Sequence, residues 1–327
     1  YSLSYNRRAL LLSALYFYHQ HNTGTTMNIL ITGGSGFIGQ SFIRRFPQYQ
    51  YTILTRNKVK AQLINPSCTC IDSLSDLNDL NTIDAVINLA GEPIVDKRWS
   101  QNQKHIIQHS RWDITEQLVN LINASQTPPS VFISGSAIGY YGNSNVNSDG
   151  TEQAMTENSP CAAPDFSSDL CQKWEAIAQQ AQDSTRVLYL RTAVVLGAKH
   201  GALNKMLLPF KLGLGAKLGS GQQMMSWIHI DDAVNAIHAL LLNPNCVGPY
   251  NLTAPHPVTN TEFTQTLAHT LNSKAFLMMP EKLLRLAMGE SADLLLNSQM
   301  IIPEKFLAMG FEFKHPELKG ALTDLLK

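Results

Sequence analysis

The stretch TGGSGFIG at residues 32–39 decides how the rest of the chain is read. It follows the apolar run NILIT (28–32) and opens an amphipathic stretch, so its glycines fall between a predicted strand and a predicted helix. Two spacings are present, Gly34-x-Gly36-x-x-Gly39 and Gly33-x-x-Gly36-x-x-Gly39. Either places residues without a side chain where the turn is tight, where backbone must approach a pyrophosphate, and where helix packs close on strand. The helix start then offers N–H groups and the positive end of its dipole to phosphates. Gly33, Gly34, Ser35, Gly36, Phe37, Ile38 and Gly39 are therefore the expected dinucleotide contacts.

Working outward, apolar runs alternate with helical patterns: YTILT (51–55), DAVINLA (84–90), SVFISG (130–135) and RVLYLR (186–191), with helical stretches near 37–46, 101–124 and 166–182. Continuous Val/Ile/Leu runs suit strands covered on both faces. The pattern predicts an α/β fold, a doubly wound Rossmann-type parallel sheet, with a smaller, mostly helical C-terminal substrate region. After Gly248 the segment PYNLTAPHPVTNTEF reads as loop, followed by a helix near 260–272. Pro280 and Pro303 suit first helical turns, Gly310 a helix stop, and ELKGALTDLLK a closing helix. The expected organisation is an N-terminal extension over residues 1–26, a nucleotide-binding domain over 27–275 and a small C-terminal domain over 276–327. In the extension, Arg7 and Arg8 precede the apolar run ALLLSALYFY, which is shorter than the about 20 residues a bilayer span needs. Met27, directly before the first strand, is the expected natural start, with a weak amphipathic anchor over residues 1–26 as the alternative.

With 327 residues, 44% of them hydrophobic, the chain can fill a sizeable core. Lys+Arg and Asp+Glu are both 25, so no basic field exists to hold nucleic acid or an anionic membrane, and a small-molecule substrate fits better. The five cysteines (Cys68, Cys70, Cys161, Cys171, Cys246) show no Cys-x-x-Cys spacing, so neither a metal nor a redox couple is expected, and reduced thiols point to the cytoplasm. Met224, Met225, Met278 and Met279 read as core rather than pocket lining.

The second strand ends in Thr55-Arg56-Asn57 and not in an acid. An acid would accept from the ribose 2′-OH of NAD and repel a 2′-phosphate, whereas Arg56 pairs with that phosphate. NADP(H) is thus expected over NAD(H). Asp72 either meets the adenine or caps a loop.

TGGSGFIG, NLAG (88–91), SGSAIGYYG (134–142), LRTAVVLG (190–197) and WIHIDD (227–232) resemble, in order, the blocks of an extended short-chain dehydrogenase/reductase, the class that includes nucleotide-sugar epimerases and dehydratases. Together with KRW, SRWDITEQL, LCQKWE, PFKLGLG and PEKFLAMGFEF, they are similar to an atypical "epimerase family protein" branch with a short C-terminal domain of unassigned function. The resemblance implies that Leu89, Ala90 and Gly91 let the cofactor ribose lie on backbone and that Thr192 to Val195 flank the nicotinamide. Arg111 faces either cofactor phosphate or an acidic substrate, or else pairs with Asp113 or Glu116. His229 and Asp231 anchor the return of the substrate region to the core.

In the parent family a Ser or Thr hydroxyl works with Tyr-x-x-x-Lys, whose spacing puts both groups on one helical face so that the ammonium lowers the phenol's pKa. No tyrosine in this chain has Lys four residues on, and the family positions fall on Phe166 and Leu170 in FSSDLCQKWE. Ser136 matches the hydroxyl, and Tyr140 and Tyr141 are the candidate substitute phenols, as donors or as pocket lining, with Lys173 further along the helix. The expectation is an NADP(H)-dependent oxidoreductase or epimerase-like enzyme acting on a small carbonyl or hydroxyl compound. The alternative is a non-catalytic NADP(H) sensor or interaction protein.

Overall fold

The computed structural model describes residues 26–144 and 152–327, so the apolar run of the N-terminal extension lies outside the described residues. The first half alternates strand and helix: β1 (Asn28–Thr32), α1 (Phe37–Arg45), β2 (Gln50–Leu54), α2 (Lys58–Ile64), β3 (Thr69–Ile71), β4 (Ala85–Asn88), α3 (Gln101–Ala124), β5 (Val131–Ala137), α4 (Phe166–Gln179) and β6 (Arg186–Thr192). Then follow β7 (Val194–Leu196), α5 (Gly201–Lys211), β8 (Ala216–Leu218), β9 (Met224–Met225), β10 (Trp227–His229), α6 (Ile230–Leu242) and β11 (Gly248–Leu252). The chain ends with β12 (Val258–Thr259), α7 (Asn260–Thr270), β13 (Leu277–Met279), α8 (Glu281–Met288), α9 (Asp293–Leu296), α10 (Glu304–Ala308) and α11 (Leu318–Leu326).

Seven parallel strands form the main sheet in the order β11-β6-β5-β4-β1-β2-β3. The chain runs outward from β1 through β2 to β3, then returns to β4 on the other side of β1. This reversal makes the crevice at the carboxyl ends of β1 and β4 the ligand position of such a sheet. Alternate residues face opposite layers. Ile29, Ile31, Ile53, Ile87 and Ile133 pack with Phe42 and Ile43 of α1 and Val234, Ile237 and Leu241 of α6. Leu30, Val86 and Phe132 pack with Leu118, Val119 and Ile122 of α3. Burial on both faces is why these strands read as unbroken apolar runs.

β11 corrects the loop expected after Gly248: it pairs along Gly248↔Leu188 to Leu252↔Thr192. Pro249 made the segment look unlike a strand, but β11 is the sheet edge, where a residue without N–H is tolerated. A second core joins Leu203 and Phe210 of α5, Phe263 and Leu267 of α7, and Leu318, Ala321 and Leu322 of α11. β13 pairs with β8 in parallel, so the C-terminal stretch is tied into the middle of the chain. Met278 and Met279 on β13 are exposed rather than core, as the strand has no layer on its outer side.

Two histidines, His229 buried and His238 half-buried, set an acid limit on this fold. His238 stacks on Phe46 at 3.8 Å and shares a 2.8 Å hydrogen bond with the Tyr49 phenol, while His229 caps α6. Burial lowers both to about 4. In the unfolded chain they return to about 6.5. Between those values the unfolded state binds protons that the folded state refuses, so stability falls on acidification from about pH 6.5 to 4, by up to roughly 3 kcal/mol per histidine. Burial raises the carboxyls of Glu157, Asp165 and Asp232, which opposes part of the loss. Urea unfolding of His238→Phe at pH 7 and 4.5 is expected to show a smaller acid loss than the unaltered chain; equal losses would remove His238 from the explanation.

Candidate functional site

The glycine turn has the geometry its sequence demands. Gly33 is at φ +67, and a Cβ there would lie 2.6 Å from the Leu89 carbonyl and 2.9 Å from Ala90 N. A Cβ on Gly39 would lie 2.4 Å from Gly33 O and 2.7 Å from Gly34 Cα. Both contacts are with backbone, which cannot swing aside. The turn closes with Gly36 N–H donating to Gly33 O at 2.9 Å. Side chains of Asn57, Ser100 and Asp165 cap α2, α3 and α4, but α1 has no side-chain cap and no acid in its first turn. Its first N–H groups therefore remain available to an anion, and a backbone cradle that any side chain would fill fits a pyrophosphate. Ser35 is half-buried in the turn. Phe37 packs its ring on Gly197, whose Cβ would meet it at 2.3 Å, and this brings the Val195 segment onto the start of α1 beside the half-buried Ile38.

At the other end of the crevice, Thr55 is buried and its hydroxyl accepts from Asn57 N–H at 3.1 Å, which turns the chain sharply after β2. Arg56 is exposed there and makes no ion pair among the described residues. Asp72 does not stand free: Lys58 holds it at 3.2 Å and, with the accompanying hydrogen bond, lowers its pKa. The Asp72 charge at this corner is thereby paired.

Beneath the crevice a chain of hydrogen bonds links the layers. Thr32 Oγ1 donates to Asn88 Oδ1 (2.6 Å) and accepts from Ala90 N–H (3.1 Å), while Asn88 Nδ2 donates to Thr115 Oγ1 (2.9 Å). Trp174 Nε1 donates to the same Thr115 oxygen at 2.8 Å. Arg111 forms neither ion pair considered for it. It donates to the carbonyls of Ile107 and Glu92 at 3.0 Å each and lies over the Trp174 ring. Asp113 pairs instead with His109. The Arg111 guanidinium fills the space where a Cβ of Gly91 would sit, at 2.8 Å, so the two residues form one wall.

On α4 the vacated pair is occupied by packing. Phe166 meets Trp99 edge-on at 4.9 Å, and Leu170 joins Trp99 and Ile107, with Ile94, Trp112 and Leu294 around them. Lys104 lies over the Phe166 ring and pairs with Glu290 at 2.6 Å, which fastens the C-terminal stretch beside this cluster. Lys173 stacks on Trp112 at 4.1 Å, so it does not stand in for the missing lysine.

Behind them lies a network that the sequence did not announce. Arg191 and Glu175 are 3% and 7% exposed and form a two-pronged pair, Nε to Oε1 and Nη2 to Oε2, both 2.9 Å. Burial alone would lower the arginine's pKa, but its bonds to Glu175 outweigh that and raise it. Ser136 Oγ donates to Glu175 Oε1 at 2.7 Å. Tyr141, fully buried, donates to Asn251 Oδ1 (2.6 Å) and accepts from Arg191 Nη1 (2.9 Å). Burial pushes its phenol up to about 12 despite the Arg191 charge. Tyr140 is half-buried, with its ring 3.4 Å from the Arg191 guanidinium carbon. The turn carrying it presses on the start of α4, where a Cβ of Gly139 would be 3.0 Å from Ser167 Cβ. The two adjacent phenols therefore face different surroundings, which a sequence cannot distinguish.

His229, His315 and Asp324 also come together, with ligand atoms within 4.8 Å of one another. The Asp231 amide donates to His229 Nδ1 at 3.0 Å, which leaves the imidazole proton on Nε2, 3.4 Å from Asp324 Oδ2. That nitrogen makes no hydrogen bond, and while it carries the proton it has no lone pair for a metal. The WIHIDD block holds the C-terminal stretch: Asp231 pairs with Lys314, and Asp232 accepts the Lys314 and His315 amides.

A doubly wound parallel sheet with a side-chain-free turn at its switch point defines a dinucleotide-binding protein. The model of the NAD dependent epimerase/dehydratase family matches residues 29–253, and a domain of unknown function, DUF1731, matches residues 279–325. The chain belongs to the NAD-dependent epimerase/dehydratase family, in the branch that carries this C-terminal domain. A chloroplastic epimerase family protein SDR39U1 homolog of Arabidopsis thaliana is 37% identical over 310 residues, 92% of this chain and 87% of its own. An epimerase family protein of Staphylococcus aureus strain N315 is 37% identical over 306 residues, 91% of this chain and 98% of its own. The crystal structure of human epimerase family protein SDR39U1 (isoform 2) with NADPH superposes with a TM-score of 0.82 at 34% identity, covering 91% of this chain and 99% of that one. No helix among the described residues is long and apolar enough to cross a membrane.

Proposed function

We propose that the protein is an NADP(H)-dependent oxidoreductase or epimerase-like enzyme acting on a small carbonyl or hydroxyl compound in a reducing compartment such as the cytoplasm. The glycine cradle carries this reading: Gly33 and Gly39 leave no room for any side chain, and the uncapped start of α1 faces the same space. Ser35, Gly36, Phe37 and Ile38 then hold the pyrophosphate by backbone, Leu89, Ala90 and Gly91 floor the ribose, and Val195 borders the nicotinamide. The cofactor supplies or accepts a hydride when bound.

Unpaired Arg56, with Asp72 already paired with Lys58, supports recognition of the 2′-phosphate, in keeping with the NADPH bound by the human relative. Arg56→Glu is expected to weaken NADPH binding by about 1.5–3 kcal/mol, roughly 10- to 150-fold, and NADH binding little. Equal weakening of both in fluorescence titrations would remove Arg56 from cofactor selection.

For the proton, we assign Tyr140 in place of Tyr141. The Tyr141 hydroxyl is enclosed and committed to Asn251, whereas Tyr140 is only half-buried and follows Gly139, which abuts Ser167 at the start of α4. Ser136, buried with its proton committed to Glu175, can serve a substrate only as an acceptor. Losing a general acid typically reduces rate by about 10² to 10⁴. With NADPH-loaded full chain in a deproteinised metabolite extract, nicotinamide fluorescence is expected to decay faster than in protein-free controls. Tyr140→Phe is expected to slow that decay by this factor with NADPH affinity unchanged; undiminished decay would exclude Tyr140. Bound NADPH whose signal stays flat in the unaltered chain would instead favour a non-catalytic sensor, the reading that the apolar seal of Trp99, Phe166, Leu170 and Leu294 favours.

A further inference from the structure

Cys68 and Cys70 flank Thr69 at the start of β3, and a spacing of two puts both side chains on one face of extended chain. Their sulfurs are 3.5 Å apart. A search for Cys-x-x-Cys passes over this pair, because that spacing suits a helical turn and the strand period is two. β3 is the sheet edge opposite β11, so solvent reaches it. Cys68 is buried, which pushes its thiol up to about 11, and Cys70 is half-buried.

We propose that Cys68 and Cys70 are a thiol pair that closes to a disulfide by exchange with a low-molecular-weight disulfide, and that closure loosens the adenosine end of the nucleotide site. The second half rests on the NADP(H) reading above. The less buried thiol, Cys70, attacks as its thiolate one sulfur of glutathione disulfide and releases one glutathione. Cys68, on losing its proton, attacks the Cys70 sulfur of the mixed disulfide and releases the second glutathione. Two electrons pass to glutathione and both thiol protons leave the protein.

Two residues of extended chain span about 6.6 Å, near the upper limit of roughly 6.8 Å between bridged α-carbons. Closure therefore draws the start of β3 together. A bond formed under that strain is readily reduced, the labile kind and not the structural kind. The contraction has a short route to the cofactor. β3 pairs with β2 through Ile53↔Cys70 and Leu54↔Ile71, and Thr55 N–H donates to Ile71 O at 2.9 Å. Beyond that bond stand Arg56 and the Lys58–Asp72 pair.

The test incubates the full chain with glutathione disulfide, removes it, alkylates remaining thiols under denaturing conditions, maps the peptide that holds both cysteines, and titrates NADPH in parallel. The expected result is a loss of two hydrogens on that peptide, restored by dithiothreitol, and a several-fold rise in the NADPH dissociation constant that is absent in Cys68→Ser and Cys70→Ser. Both cysteines alkylated after exposure would overturn closure. A mapped disulfide with unchanged NADPH affinity would overturn the coupling. Reduced protein that binds no NADPH would sink the nucleotide reading and the coupling with it, while the peptide map still decides closure.

Discussion

Replacing Arg191 with methionine is expected to destabilise the fold by about 3–5 kcal/mol, the loss found when one partner of a buried ion pair is removed. The arginine makes two bonds to Glu175, one to the Tyr141 phenol and one to the Glu157 carbonyl, all in buried surroundings. Without it the Glu175 carboxylate keeps only Ser136 as a donor. A chain of this size then melts on the order of 10 °C lower. The double variant Arg191→Met with Glu175→Met removes the stranded charge and is expected to recover much of the loss, since a buried pair replaced whole by apolar groups is close to neutral. A single variant that melts within about 1 °C of the unaltered protein would mean the pair is not enclosed as described.

Gly39→Ala acts on binding more than on stability. Its new methyl would lie 2.4 Å from Gly33 O and 2.7 Å from Gly34 Cα, so the turn itself must open. Overpacking of this kind typically costs about 1–3 kcal/mol, and in the segment that carries the pyrophosphate that is roughly 5- to 150-fold in affinity. Gly320→Ala is the control. It sits within α11 with open space where the Cβ would go, and is expected to leave NADPH binding unchanged while stabilising the helix by about 0.5–1 kcal/mol. NADPH affinity of Gly39→Ala equal to that of Gly320→Ala would disprove the cradle.

The parts legible in the sequence are those whose physics is local. Ile29 and Ile31 face one layer and Leu30 the other, so the strand shows as an unbroken apolar run, and the glycines betray a turn because no other residue fits it. β11 escaped detection because Pro249 is acceptable only on an edge, and edge position is a property of the assembled sheet. Glu175 and Arg191 escaped for a related reason. Each reads alone as a solvated charge, and only the crossing of α4 over β6 brings them together. One signal was available: an arginine inside RVLYLR, a run otherwise fit for burial, needs a partner acid. The separation of Tyr140 from Tyr141 depends on which way a single short turn faces, which composition and spacing do not encode.

The measurement that bears most directly on the central claim is a calorimetric titration of the unaltered full chain with NADPH and with NADH. One NADPH per chain, bound at least about tenfold more tightly than NADH, is the expected result, corresponding to one charge-assisted phosphate contact of about 1.4 kcal/mol or more. No saturable binding of either nucleotide, or NADH bound as tightly as NADPH, would contradict it.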